Sequence, residues 1–197
     1  MESERKKLLL VNGCINRGTS RTLRLARRVA LHYPDHEIEE LVLEEMHLAP
    51  LDSEYINRRN ELAQKGRFDD SIFDLAHQFA EADVIIVASP FWENCFSSMI
   101  KIYMEHAAAV GVVFRYSETG MPIGMCRAER LYYITTRGGY VGDDEDHACW
   151  IYREISATYG IGDCRIVSAS GLDIVGNDVE GIMEEAFSRA DSAVLGD

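Results

Sequence analysis

The segment Asn12-Gly13-Cys14-Ile15-Asn16-Arg17-Gly18-Thr19-Ser20-Arg21-Thr22 gathers glycines and hydroxyls directly ahead of an apolar stretch of helical spacing. Its glycines let backbone amides approach an anion. Thr19, Ser20 and Thr22 offer hydroxyl donors, and a helix starting behind them supplies free N–H groups and a favourable dipole. That is chemistry for a phosphate. The spacing Gly13-x-x-x-x-Gly18-Thr19-Ser20 comes within its missing lysine of a triphosphate loop, and no G-x-G-x-x-G is present for a dinucleotide pyrophosphate. A monoester phosphate is the natural guest. On this segment alone a plainer reading also stands, with Ser20 capping a helix and the glycines turning the chain.

Two further segments bear on the same ligand. Ser89-Pro90-Phe91-Trp92-Glu93-Asn94 follows the most apolar run in the chain, so two aromatics, a carboxylate and an amide meet where a flat ring could lie. Rim packing would equally explain the aromatics. In Thr135-Thr136-Arg137-Gly138-Gly139-Tyr140 the paired glycines allow backbone N–H groups to face a ligand closely. Arg137 could bring positive charge, or could be a surface arginine pairing with the acidic run Asp143-Asp144-Glu145-Asp146.

These segments need a frame that sets them side by side. Strands are expected at Leu8 to Val11, Ile38 to Leu43, Val84 to Ala88, Leu131 to Thr135 and Arg165 to Ala169. Helices are expected from Ser20 to before Tyr33-Pro34, over Phe68 to Ala82, around Ser97 to Ala109, around His147 to Tyr159 and from Asp178 onward. Glu44 to Gly66 reads as irregular. Five strands alternating with five helices require right-handed crossovers and a parallel sheet covered on both faces, a three-layer, doubly wound α/β fold. Ligands in such folds bind at the carboxyl ends of the strands, where all three segments leave the sheet.

At 197 residues the chain suits one domain over residues 1–197, with no repeat or linker in view. A formal charge of −13 disfavours nucleic acid and anionic membrane partners. Five cysteines, at 14, 95, 126, 149 and 164, form no C-x-x-C pair, which argues against a disulfide framework or a metal site and for a reducing compartment. The start Met1 to Lys7 runs straight into a strand, too short for a secretion signal, so the expected location is cytoplasmic.

Pro90-Phe91-Trp92-Glu93-Asn94, Lys101-Ile-Tyr103, Gly111-Val-Val-Phe114-Arg115-Tyr116, Glu118-x-Gly120 and Thr136-Arg137-Gly138-Gly139 occur in an order and spacing that resemble the flavodoxin-like NAD(P)H:quinone oxidoreductase and FMN-dependent NADH-azoreductase family. The resemblance implies a flavodoxin-like fold with a five-stranded parallel sheet in the order 2-1-3-4-5. It implies tightly bound FMN, its phosphate held by Cys14 and Ser20-Arg21-Thr22. Pro90, Phe91, Trp92, Glu93 and Asn94 would flank the isoalloxazine, and Thr136, Arg137, Gly138 and Gly139 would meet its pyrimidine edge. Phe114 and Tyr116 would wall the substrate side. Cys14 stands where relatives usually carry serine, and Glu93-Asn94 where they usually carry asparagine and phenylalanine.

The activity implied is ping-pong hydride transfer from NADH or NADPH to a quinone, azo compound or similar small acceptor. Because the flavin performs the redox step, no protein residue is expected as catalytic acid, base or nucleophile. Relatives of this kind are homodimers with active sites at the subunit contact, for which the apolar run Ala107 to Val113 is one candidate surface and a buried helix end the other reading. A flavodoxin-type electron carrier and a non-redox phospholigand module are the alternatives within the same fold.

Overall fold

The computed structural model describes residues 5–196, so the charged start at residues 1–4 lies outside the described residues. β1 (Lys6–Asn12), β2 (His36–Val42), β3 (Val84–Ala88), β6 (Arg130–Thr136) and β7 (Asp163–Ala169) form a parallel sheet in the order β2-β1-β3-β6-β7. This is the expected order 2-1-3-4-5, because β4 (Phe114–Tyr116) and β5 (Pro122–Gly124) form a separate antiparallel hairpin. The sequence reading did not anticipate that hairpin. Three-residue strands, with Arg115 and Tyr116 exposed, leave almost no period-two signal.

The central strands are buried along their length, as a doubly covered sheet requires, and successive residues face opposite cores. Leu9, Val11, Ile85, Val87, Leu131 and Tyr133 face one core with α4 (Asp74–Glu81), α5 (Ser98–Ala107) and α6 (His147–Tyr159). Leu8, Leu10, Ile86, Ala88, Tyr132 and Ile134 face the other with α1 (Arg21–Ala30) and α7 (Val179–Leu195). At the sheet's edge β2 is mostly exposed and carries Glu37, Glu39 and Glu40, charges that discourage pairing with another strand.

The stretch expected to be irregular contains α2 (Leu43–Met46) and α3 (Ser53–Gln64). α3 buries no residue, so it shows no apolar stripe for periodicity to find, although Asp52 caps it by accepting from the Tyr55 N–H. Among the described residues no helix is long and apolar enough to cross a membrane.

Register sets the three segments side by side. Asn12 pairs with Ala88, and Ala88 with Ile134, so β1, β3 and β6 end together at one edge.

Candidate functional site

The first segment leaves β1 through a turn made by Asn12, whose Oδ1 accepts from the Cys14 N–H at 2.9 Å while its Nδ2 donates to Glu40 at 2.7 Å. The Gly13 N–H donates to the Ala88 carbonyl at 2.9 Å, and a Cβ at Gly13 would lie 2.6 Å from Ile100, so only glycine lets the loop pass this close to α5. Ser20 caps α1 by accepting from the Leu23 N–H at 3.1 Å. That bond uses a lone pair and leaves the hydroxyl proton free for an anion. The N–H groups of Gly18, Arg21 and Thr22 donate to no protein acceptor among the described residues. A hollow of about 600 Å³ opens beside Asn16, Arg17, Gly18 and Thr19.

Two side chains here depart from expectation. The Cys14 thiol is buried and turned toward the Ala88 carbonyl, and burial pushes it up to about 11, so it packs beneath the loop instead of lining it. The Arg21 guanidinium is drawn away to the Leu172 carbonyl (2.8 Å) and Asp173 (2.7 Å), leaving Arg21 its backbone N–H to offer an anion.

The second segment continues from β3 with the Ser89 N–H on the Ile134 carbonyl (3.0 Å) and the Phe91 N–H on the Thr136 carbonyl (3.3 Å). Trp92 and Cys95 exchange backbone hydrogen bonds of 2.8 and 2.9 Å across Glu93 (φ 48°) and Asn94 (φ 62°). Two successive positive φ values between paired residues make a type I′ turn. The Asn94 carbonyl accepts from the His147 N–H at 3.2 Å, pinning this turn to the start of α6. Trp92, Glu93 and Asn94 are exposed, and Pro90 and Phe91 half-buried.

In the third segment the Thr136 hydroxyl lies 2.6 Å from that of Thr22. The N–H groups of Gly138 and Gly139 donate to no protein acceptor among the described residues, and a Cβ on Gly139 would meet nothing within 4 Å. One on Gly138 would collide with the Asp173 carboxylate.

Arg137 is neither free charge nor surface arginine. It is 1% exposed, and its guanidinium donates to Asp146 (3.0 and 3.2 Å) and the Val141 carbonyl (3.1 Å), with Asp143 at 2.8 Å. Its N–H is taken by the Ala169 carbonyl at 2.8 Å, and its guanidinium carbon sits 5.8 Å from the centre of the Phe91 ring. Arg137 therefore props the second and third segments from beneath.

Phe114 and Tyr116 lie elsewhere in the chain. Phe114 stacks on Tyr159 at 5.5 Å, the last residue of α6, whereas α6 begins at His147 beside Asn94. A helix of 13 residues rises about 20 Å. Within one chain these two aromatics are therefore at the far edge of the sheet from the three segments and do not wall the same hollow. Of the apolar run from Ala107, residues Ala107, Ala109, Val112 and Val113 are buried inside the chain, which is the helix-end reading; Val110 is exposed.

Sequence reasoning placed Asp146 in the acidic run that could pair with Arg137, but on the surface, and missed Asp173. Asp146 is fully buried, binds Arg137, and caps α6 by accepting from the Ala148 N–H at 2.9 Å. Burial pushes its carboxyl above the ordinary value, with the Arg137 guanidinium opposing. An aspartate one residue ahead of a helical pattern is a legible cap and its run a legible partner for Arg137, but the burial of the pair is not.

A family model described as flavodoxin-like fold matches residues 6–194. The chain is 31% identical over 181 residues to FMN-dependent NADH:quinone oxidoreductase 2 of Clostridium acetobutylicum, covering 88% of this chain and 90% of that protein. It is 29% identical over 190 residues to an FMN-dependent NADH:quinone oxidoreductase of Clostridium perfringens, covering 93% and 96%. Among solved structures, an FMN-dependent NADH-azoreductase from Bacillus anthracis in complex with FMN superposes with a TM-score of 0.80 at 20% identity, over 97% of this chain and 98% of that one.

Proposed function

The chain belongs to the family of flavodoxin-like fold, and from that membership we propose that it is an FMN-dependent NAD(P)H oxidoreductase reducing quinones, azo compounds or similar small acceptors. The observation that carries this reading is the convergence of unclaimed backbone donors: Gly18, Arg21 and Thr22 on one corner, Gly138 and Gly139 on another, with Phe91 and Trp92 between. The residues fit the cofactor. The α1 start, with the Ser20 hydroxyl, suits its single phosphate, and the open face at Gly139 leaves room for a ring whose pyrimidine edge takes the amide donors.

When bound, FMN supplies the redox chemistry, taking hydride from a reduced nicotinamide and passing it to the acceptor. The protein's part is to hold the ring between Phe91, Trp92 and the Gly138-Gly139 amides and to leave one face open. One open place used in turn by donor and acceptor gives ping-pong kinetics.

We infer also that the working form is a homodimer of single-domain chains. Tyr116, Met121, Ile123 and Met125 are exposed on and beside the β4–β5 hairpin, and Trp92, Tyr140, Trp150 and Val175 are exposed on or near the loop edge. An apolar hairpin and an apolar loop edge at opposite ends of one chain suit two copies that cover each other, bringing a partner's Phe114 and Tyr116 to the site. The free thiols and acidic charge suit a cytoplasmic location.

Anaerobic titration of the purified protein tests the reading. We expect it to take up one FMN per chain, to bleach with NADH or NADPH, and to recover colour on adding a quinone. FMN uptake without nicotinamide oxidation would make it an electron carrier, and no FMN uptake would leave a non-redox phospholigand module. Sedimentation at micromolar concentration should give the dimer; a monomer alone would overturn that part.

A further inference from the structure

The arginines of the loop edge are already matched. Arg17 pairs with Glu45 at 2.5 Å, Arg21 with Asp173 at 2.7 Å, and Arg137 with Asp143 and Asp146 at 2.8 and 3.0 Å. Glu93 has no ion-pair or hydrogen-bond partner among the described residues, and it stands exposed at the tip of the type I′ turn. The turn is held by the reciprocal Trp92–Cys95 bonds and tied to α6 through Asn94 and His147, so the backbone that carries the carboxylate has a fixed station next to Trp92 in the chain.

Local structure does not explain a glutamate there. Asn94 suits a left-handed backbone, because asparagine tolerates positive φ, but a longer side chain at φ 48° is disfavoured and such residues gather at functional sites. The carboxylate stands against the preference of its own backbone. Its sign agrees with that of the whole protein, which carries −13, and no unmatched arginine nearby cancels it.

We propose that Glu93 makes the mouth of the site sort electron acceptors by charge, favouring uncharged and cationic quinones or azo compounds over sulfonated or carboxylated ones. The inference rests on the flavin-dependent reading above. Because the group is exposed, its influence is a surface Coulomb effect: about two- to five-fold in kcat/KM at low salt for a unit charge several ångströms away. It fades toward 1 M salt, where the Debye length is about 3 Å.

The test uses FMN-loaded protein with saturating reduced nicotinamide and three acceptors on one scaffold: an uncharged naphthoquinone, its sulfonated analogue and an analogue bearing a quaternary ammonium. In the parent protein, salt should raise kcat/KM for the sulfonated compound, lower it for the cationic one and leave the uncharged one level. In Glu93→Gln the sulfonated-to-uncharged ratio, taken within each protein so that cofactor loading cancels, should rise about two- to five-fold at low salt. A ratio equal in both proteins, or a salt response equal for all three acceptors, would overturn the proposal. Failure to turn over even the uncharged quinone would overturn the parent reading, and this inference with it.

Discussion

The hydroxyls of Thr22 and Thr136 lie 2.6 Å apart across 114 residues of chain, joining the first turn of α1 to the carboxyl end of β6. The Thr136 carbonyl also accepts from Phe91, so one residue touches both other segments of the site. Its position joins the corner suited to a phosphate with the corner suited to a ring edge.

Replacing Thr136 by valine leaves the buried Thr22 hydroxyl without this partner. The expected cost is about 1 to 3 kcal/mol of stability, the penalty of an unsatisfied buried group. FMN affinity should weaken about ten-fold, about 1.4 kcal/mol. Thermal melting and flavin fluorescence titration measure the two; a variant unchanged in both would show that the hydroxyl pair joins nothing.

Gly139 separates folding from binding. Its backbone needs no positive φ and a Cβ there meets nothing within 4 Å, so Gly139→Val should melt like the parent when free of FMN. With the cofactor, the added side chain enters the space left for the ring, and affinity should fall on the order of 100-fold, about 2.7 kcal/mol. Parent-like FMN affinity in this variant would remove Gly139 from the site.

Asp146→Ala takes from the 1%-exposed Arg137 guanidinium its fully buried carboxylate partner, leaving the half-exposed Asp143, and deletes the α6 cap. Breaking a buried pair from one side costs about 3–5 kcal/mol when the other charge is left uncompensated, and the Asp143 contact holds the expected loss to about 2–3 kcal/mol. Urea unfolding should show that loss as an earlier midpoint at an unaltered slope. A change under 1 kcal/mol would mean that the remaining Asp143 contact suffices.

Acid should loosen the contact between α1 and α7. Hydrogen bonds from Arg28 and His32 hold the Asp191 carboxyl well below the usual carboxylate range. A carboxyl depressed in the folded state lends stability above its unfolded value, and that stability drains away as pH falls through the acid range. Melting temperatures of the parent and Asp191→Asn should therefore differ near neutrality and converge toward pH 2. A gap that stays constant with pH would place the effect outside this carboxylate.

Much of the frame was legible because it follows from local patterning. Val84 to Ala88 reads as a strand buried on both faces, and Asn12-Gly13, Pro90 and Gly138-Gly139 mark the carboxyl ends of strands, where this fold carries its ligands. α3 and the β4–β5 hairpin stayed hidden because neither displays the periodic burial by which elements announce themselves.

The sequence by itself determined the doubly wound sheet and the residue types on its loop edge, since apolar periodicity and turn chemistry act over a few neighbouring residues. Tertiary structure alone decided what each side chain is free to do. It buried the Cys14 thiol, bound Arg21 to Asp173, sank the Arg137–Asp146 pair out of solvent, and set Phe114 at the far end of α6 from the loop that Asn94 joins to His147. Burial, and a pairing across 152 residues such as Arg21 with Asp173, depend on partners far away in the chain and leave no trace in local spacing.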